Sequence, residues 1–348
     1  MAQECCQGLI SNVNKFINQL IIIMKYLTLL FVLSLSLTST AQDCVQEDLA
    51  QKPGIWKAGL KGSIAGVTAS DLAKEKAVLA GIHKMVTSNY SPTGCQLLYA
   101  SAFGKYPREG QKYVADPYYY SMYILRYVCD QNSADKSKYY VDISTPTTVN
   151  IVANAMYWLN NLYAANIPPD DFRGYLKLEI RPVKKDGFYY LSNEKVDPKE
   201  EIIEYRWLIT YNDTLPFTYL SRKEYLQIQK KRLEKSVKES PGSEKYTQKY
   251  FDRINEFLSR PEDELSQDAI CMWNDEERFE GFVKEGRSGS FIAVKPNLAY
   301  YKKNLPMSSP QFFTVVYKIS LGDPVFEANI AAIKKAVDFG KLRSMLGK

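Results

Sequence analysis

Tyr119, Tyr123 and Tyr127 are the residues whose type and spacing most suggest chemistry in this chain. In an extended segment from Tyr118 to Cys129 they share one face, while Tyr118, Tyr120, Met122 and Ile124 share the other. Tyrosine rings offer a flat apolar body and a polar tip, which suits stacking on sugars or gripping a partner protein. The plainer account is that aromatic residues favour strands and keep their hydroxyls at the rim of a sheet. Tyrosine is the one compositional excess: more than half of the 26 fall between Tyr99 and Tyr190, so the feature belongs to one region.

The other chemical candidates are weaker. The single histidine, His83, would have to serve any Ser-His-Asp or Cys-His arrangement, yet it flanks the apolar face of a helical pattern and reads as a packed boundary residue. The run from Gly281 to Ser288 imitates a phosphate loop with Arg287 in the lysine position. Such a loop must open a helix, whereas Ser290 to Val294 reads as a strand. Asp338-Phe339-Gly340 spells a magnesium triplet without the rest of a kinase. The acids Asp275-Glu276-Glu277 and Asp170-Asp171 lack ligand-loop spacing and read as solvated turns. Asn212-Asp213-Thr214 matches a glycosylation sequon, meaningful only in a host that glycosylates. These readings assign no catalytic residue, no metal and no cofactor.

The elements that must position these groups are mixed. A helix is predicted from Ala69 to Thr87, opened by Thr68 and Asp71, with Leu72, Leu79, Ile82 and Val86 on one face. Strand texture follows over 96–103, 118–129, 139–144 and 147–159. A hairpin is predicted between Tyr175–Pro182 and Gly187–Leu191, turning at Lys184–Gly187, and another strand over 202–211. Ser221 and Glu224 form a capping-box pattern that opens a charged helix to Glu239. Pro241-Gly242 breaks it, and a second helix follows from Ser243 to Ser259 with Tyr246, Tyr250, Ile254, Phe257 and Leu258 at helical spacing. Strands are expected at Arg278–Val283, Ser290–Pro296 and Phe312–Ile319. A C-terminal helix carries Phe326, Ile330, Ile333 and Val337 and bends at Gly340. The expected fold class is α+β: an antiparallel sheet with an N-terminal helix, a charged helical-hairpin insertion and a C-terminal helix. The expected organisation is a Tyr-rich region over 42–200, then 201–348 packed on the same core, with the hairpin at 221–259.

Met24 to Ala41 reads as a secretory signal peptide. Lys25 supplies the positive start, Leu27 to Leu37 the apolar core, and Ser39 and Ala41 the small residues before a cut at Gln42. Met24 is then the expected first residue, and 1–41 is removed. A single membrane anchor over Phe16–Leu37 would place Lys25 near the bilayer centre, at high cost. Asp43 ahead of Cys44 does not fit a lipid-attachment site. No membrane span is expected after cleavage. A net charge of +6 with both signs interleaved is a soluble surface and not a nucleic-acid footprint. Four cysteines remain, Cys44, Cys95, Cys129 and Cys271, which allow three pairings. Cys95 with Cys129 is the expected pair, because both lie in neighbouring strand-like segments, leaving Cys44 with Cys271. Buried free thiols are the alternative.

Several strings carry a resemblance. Thr93-Gly94-Cys95, Trp207-Leu208-Ile209-Thr210 with Leu215-Pro216-Phe217, Ser221 to Leu226, and Leu305 to Phe312 resemble exported proteins of unknown function from Bacteroidota. The resemblance implies secretion to the periplasm or cell surface and no particular activity. The expected function is a non-enzymatic envelope protein that binds a ligand or partner. One alternative is a hydrolase acting on glycan or peptide through carboxylates, and another is an assembly protein using the hairpin. Exported material is predicted to begin at or near Gln42 by N-terminal sequencing; a retained Met1 would defeat the signal-peptide reading.

Overall fold

The computed structural model describes residues 43–59, 62–104, 114–156, 174–191, 195–197, 201–273 and 278–348. The signal-peptide segment, the end of the strand predicted to Leu159, and the acids at 170–171 and 275–277 lie outside the described residues. The helices are α1 (Gln46–Gln51), α2 (Ala69–Thr87), α3 (Arg222–Glu239), α4 (Glu244–Leu258), α5 (Glu262–Leu265), α6 (Pro324–Ala336) and α7 (Phe339–Met345). The strands are β1 (Ile55–Ala58), β2 (Cys95–Ala102), β3 (Tyr118–Cys129), β4 (Tyr139–Val141), β5 (Thr148–Ala153), β6 (Leu176–Leu178) and β7 (Val183–Lys185). They continue with β8 (Phe188–Tyr190), β9 (Lys195–Asp197), β10 (Ile202–Ile209), β11 (Phe217–Tyr219), β12 (Ile270–Met272), β13 (Ser290–Pro296) and β14 (Phe313–Ser320). The fold is α+β.

Two compact units divide the chain. The smaller joins the residues up to Asp48 with Val128–Tyr140. A disulfide between Cys44 and Cys129, Cα atoms 5.6 Å apart, closes it across 85 residues of sequence. The Cys44 N–H donates to the Lys136 carbonyl at 2.8 Å, and the Asp130 side chain accepts from the Asn132 and Ser133 N–H groups. This corrects the expected pairs. Cys95 stands opposite Arg126 in the β2–β3 ladder, and Cys129 lies three residues further along β3, too far for a bridge. Cys271 is buried in the core beneath α3 and α4, and both Cys95 and Cys271 are thiols outside the disulfide.

The larger unit, Leu49–Tyr127 with Val141–Lys348, stacks four layers. Its main sheet runs β1-β2-β3-β5-β14-β10-β8-β7, with β9 beside β10. The pairing is antiparallel except for β1, which lies parallel to β2 at the edge. Strands from both sides of residue 200 alternate in it: β5 and β8 pair with β14 and β10. Period-two alternation sends Tyr118, Tyr120, Met122 and Ile124 of β3, and Phe313, Val315 and Tyr317 of β14, into one core. There they meet Leu79, Ile82 and Val86 of α2 and Phe326, Ile330 and Ile333 of α6. The opposite face packs on a four-stranded sheet, β11-β13-β12 with β6 beside β13, through Leu208, Phe312, Leu176, Phe217, Ile292 and Val294. The far face of that small sheet, with Phe291, Ala293 and Cys271, carries the helical hairpin.

Local signals set most element ends. Thr68 caps α2 by accepting from the Asp71 N–H, and Ser221 with Glu224 forms a complete capping box on α3. Asp186 and Gly187, both at positive φ, make the two-residue turn between β7 and β8. The predicted first arm of that hairpin is displaced: Leu176 and Leu178 belong instead to β6, because they fill the core between the sheets. The C-terminal helix breaks at Val337-Asp338, two residues before Gly340. Asp338 accepts from the Lys341 N–H at 2.9 Å and starts α7, which is what the Asp338-Phe339-Gly340 triplet does. Residues 278–289 are not a strand. They form a loop with Gly281, Gly286 and Gly289 at positive φ that lays Phe279 and Phe282 on the hairpin base and runs into β13. No helix follows it, so no phosphate loop is formed.

The disulfide yields a direct check. Thiol labelling of the unfolded, unreduced protein should modify Cys95 and Cys271 and leave Cys44 and Cys129 protected. Replacing Cys44 and Cys129 with Ser should cost about 4–5 kcal/mol by loop-closure entropy, read as a lower denaturation midpoint.

Candidate functional site

The helical hairpin is anchored at one end only. Tyr225 and Leu226 of α3, and Ile254 and Phe257 of α4, are buried with Tyr175, Phe279 and Phe291. Each such side chain contributes roughly 1.5–3 kcal/mol when taken out of water. Beyond them Leu233 packs, partly buried, against the same core, and no residue from Lys230 to Asp252 is fully buried. Its helicity there rests on good helix formers such as Gln, Lys, Arg, Leu and Glu, and on cross-links such as Lys230 Nζ to Asn255 Oδ1 at 3.0 Å. Tyr246, which fits the apolar spacing of α4, is 66% exposed.

Between the two arms lies a cleft of about 740 Å³. Among the described residues five cations line it, Arg232, Lys235, Lys245, Lys249 and Arg278, with one carboxylate, Glu239. Buried Gln229 sits at its lower end, donating to the Tyr175 hydroxyl at 3.3 Å and accepting from the Arg232 guanidinium at 3.0 Å. Tyr246 and Tyr250, one turn apart on α4, complete the lining. The Lys245 and Lys249 ammonium groups lie 4.8 and 4.9 Å from the Tyr246 and Tyr250 ring centroids. Lys235 pairs with Glu239 at 3.8 Å, and the ammonium groups of Lys245 and Lys249 attract an anion.

The strand tyrosines are placed elsewhere. Tyr119 and Tyr123 are half-buried on the face of β3 away from α2, beside Ala102 and Val152, and Leu98 and Thr148, respectively. Tyr127 on the same face is buried. His83 accepts or donates a 2.7 Å hydrogen bond with the Tyr120 hydroxyl and packs on Tyr99 at 4.4 Å, with burial holding its pKa below the usual value. It is a packed residue. Burial pushes the Cys95 thiol up to about 12, so it stays protonated and inert. The Asn212-Asp213-Thr214 sequon lies in an exposed turn.

A second cluster escaped the sequence reading. Asp71 and Glu75, one turn apart on α2, meet Asp116 ahead of β3. Burial and the neighbouring Asp116 push the Glu75 carboxyl up to about 8, and burial and Asp71 push Asp116 up to about 6. Neither Glu75 oxygen receives a well-formed bond from a donor. Two neighbouring acids kept from water disfavour each other's ionisation, which is why both are raised. Burial opposes ionisation of Asp71, but hydrogen bonds from Thr68 and Ser308 hold it below the usual carboxylate range. Around them, the Asn154 amide donates to the Asp116 and Ser309 carbonyls, and Tyr118 donates to the Ser308 carbonyl. Glu75 is fully buried and Asp116 is 5% exposed, so the pair is enclosed by protein. Among the described residues no group of His, Cys, Asp and Glu could hold a metal ion, and no helix is long and apolar enough to cross a membrane.

No protein-family model, curated protein or solved structure matches this chain.

The carboxyl pair sets the sign of a pH dependence. Acids whose folded pKa is raised bind more protons when folded, so their contribution is favourable below the unfolded pKa and is lost as pH rises through the folded value. The thermal midpoint should therefore fall between about pH 5 and pH 8, and Glu75→Gln should flatten that slope. A Glu75→Gln variant with an unchanged slope would remove the raised Glu75 carboxyl from the account.

Proposed function

We propose that this chain is an exported envelope protein that binds a ligand without transforming it, and that the hairpin cleft is the binding site for an anionic group. The observation that carries the reading is the cleft itself, lined among the described residues by five cations and one carboxylate around about 740 Å³, on an arm with no fully buried residue from Lys230 to Asp252. The Cys44–Cys129 disulfide supports an oxidising compartment, in keeping with the signal-peptide pattern. Enclosure of the Glu75–Asp116 pair weighs against a two-carboxylate hydrolase, which needs both acids at the substrate. The assembly-arm reading lacks an apolar interface core, since Tyr246 is the one large apolar side chain counted as exposed on the described hairpin.

The test uses a plain polyanion. Poly-L-glutamate should bind the purified protein at low ionic strength and weaken as salt screens the charges. The double variant Lys245→Glu with Lys249→Glu should lose at least about tenfold in affinity, or roughly 1.4 kcal/mol. Lys335→Glu, on the exposed side of α6, should change it less than about twofold. Equal losses in both variants would show that net charge, and not the cleft, is responsible.

A further inference from the structure

The lining also selects among anions. We infer that the cleft takes a short stretch of acidic polysaccharide, a chain whose sugar rings carry carboxylates; this rests on the cleft being the ligand site. A volume of about 740 Å³ is far larger than a single phosphate or carboxylate and lies in the range of a ligand of several rings. Tyr246 and Tyr250 stand at i and i+4 on α4, neighbours on one face about 6 Å apart, close to the length of one sugar residue. Each has an ammonium beside its ring, Lys245 at 4.8 Å and Lys249 at 4.9 Å. The unit of ring plus cation thus repeats along the helix as the unit of sugar face plus carboxylate repeats along an acidic glycan. The apolar ring bodies suit the C–H faces of pyranoses, and the phenol hydroxyls, with Ser236 on the facing α3, suit their hydroxyls.

Other polyanions fit less well. An acidic helix laid in a groove needs apolar anchors at every turn, and Leu233 is the single aliphatic side chain in the described lining. A single-stranded nucleic acid would use the same rings and charges, so the experiment separates it directly.

Titration calorimetry with the purified protein would compare hexagalacturonate with neutral maltohexaose, hexaglutamate and hexathymidylate. Hexagalacturonate is expected to bind at least about tenfold tighter than each of the other three. Tyr246→Ala with Tyr250→Ala should weaken hexagalacturonate about tenfold and hexaglutamate less than about twofold, while Tyr246→Phe keeps the ring and the affinity. These side chains are exposed or half-exposed, so the variants retain the fold, which circular dichroism verifies. Hexaglutamate or hexathymidylate binding as tightly, with the tyrosine variants without effect, overturns the glycan assignment and leaves the anionic cleft standing. Binding of no anion, or binding indifferent to Lys245→Gln with Lys249→Gln, overturns both.

Discussion

β13 has two dry faces, and the larger unit is organised around that constraint. Of its seven residues only Lys295 keeps partial contact with water. Alternation divides the remainder: Ile292 and Val294 close the core against the main sheet, while Phe291 and Ala293 form the floor under the hairpin. A strand in this position cannot shift by one residue without exchanging the two sets, so both cores fix the same register. β11, β12 and β6 all pair with β13, and the hairpin base rests on it. The arm that holds the cleft is therefore seated on a strand fixed from both faces, while no residue toward its far end is fully buried.

What could be read from the sequence was what local chemistry decides. α2 runs over the predicted residues because Thr68 caps it and its apolar stripe has the helical period. The division of β3 into a buried face and a tyrosine face follows from alternation alone. The capping box at Ser221 is visible in the order of four residues. Features decided by distant partners were not visible. β1 is too short and exposed to carry a pattern, and it exists because β2 offers an edge. The disulfide was misassigned because proximity in a ladder depends on register, which the sequence of two strands does not reveal. Glu75 looked like an ordinary helical acid, and its partner Asp116 lies 41 positions away. The cleft was hidden for a different reason: Tyr246 and Tyr250 continue the apolar spacing of Ile254 and Phe257, and only the hairpin geometry leaves them outside the core.

The strings Thr93-Gly94-Cys95 and Leu305 to Phe312 have structural work. Gly94 takes a φ of +72°, and a Cβ there would lie 2.7 Å from the Ala50 carbonyl oxygen, so the turn into β2 requires glycine. Its neighbour Thr93 gives its N–H and carbonyl to the Asn329 amide of α6. The segment from Leu305 to Phe312 supplies the carbonyls and hydroxyl that surround Asp71, Asp116 and Asn154. These are joints between layers, where backbone groups buried away from water need specific partners.

The unanchored end of the hairpin has an evolutionary meaning. Side chains that bury no core surface can be replaced at little cost to folding, whereas a change on β13 is felt in two cores. The same scaffold can therefore present different cleft linings while its layers stay as they are. Descendants of this fold would diverge first at the tip of the arm, and recognition could be rewritten there without re-evolving the protein beneath it.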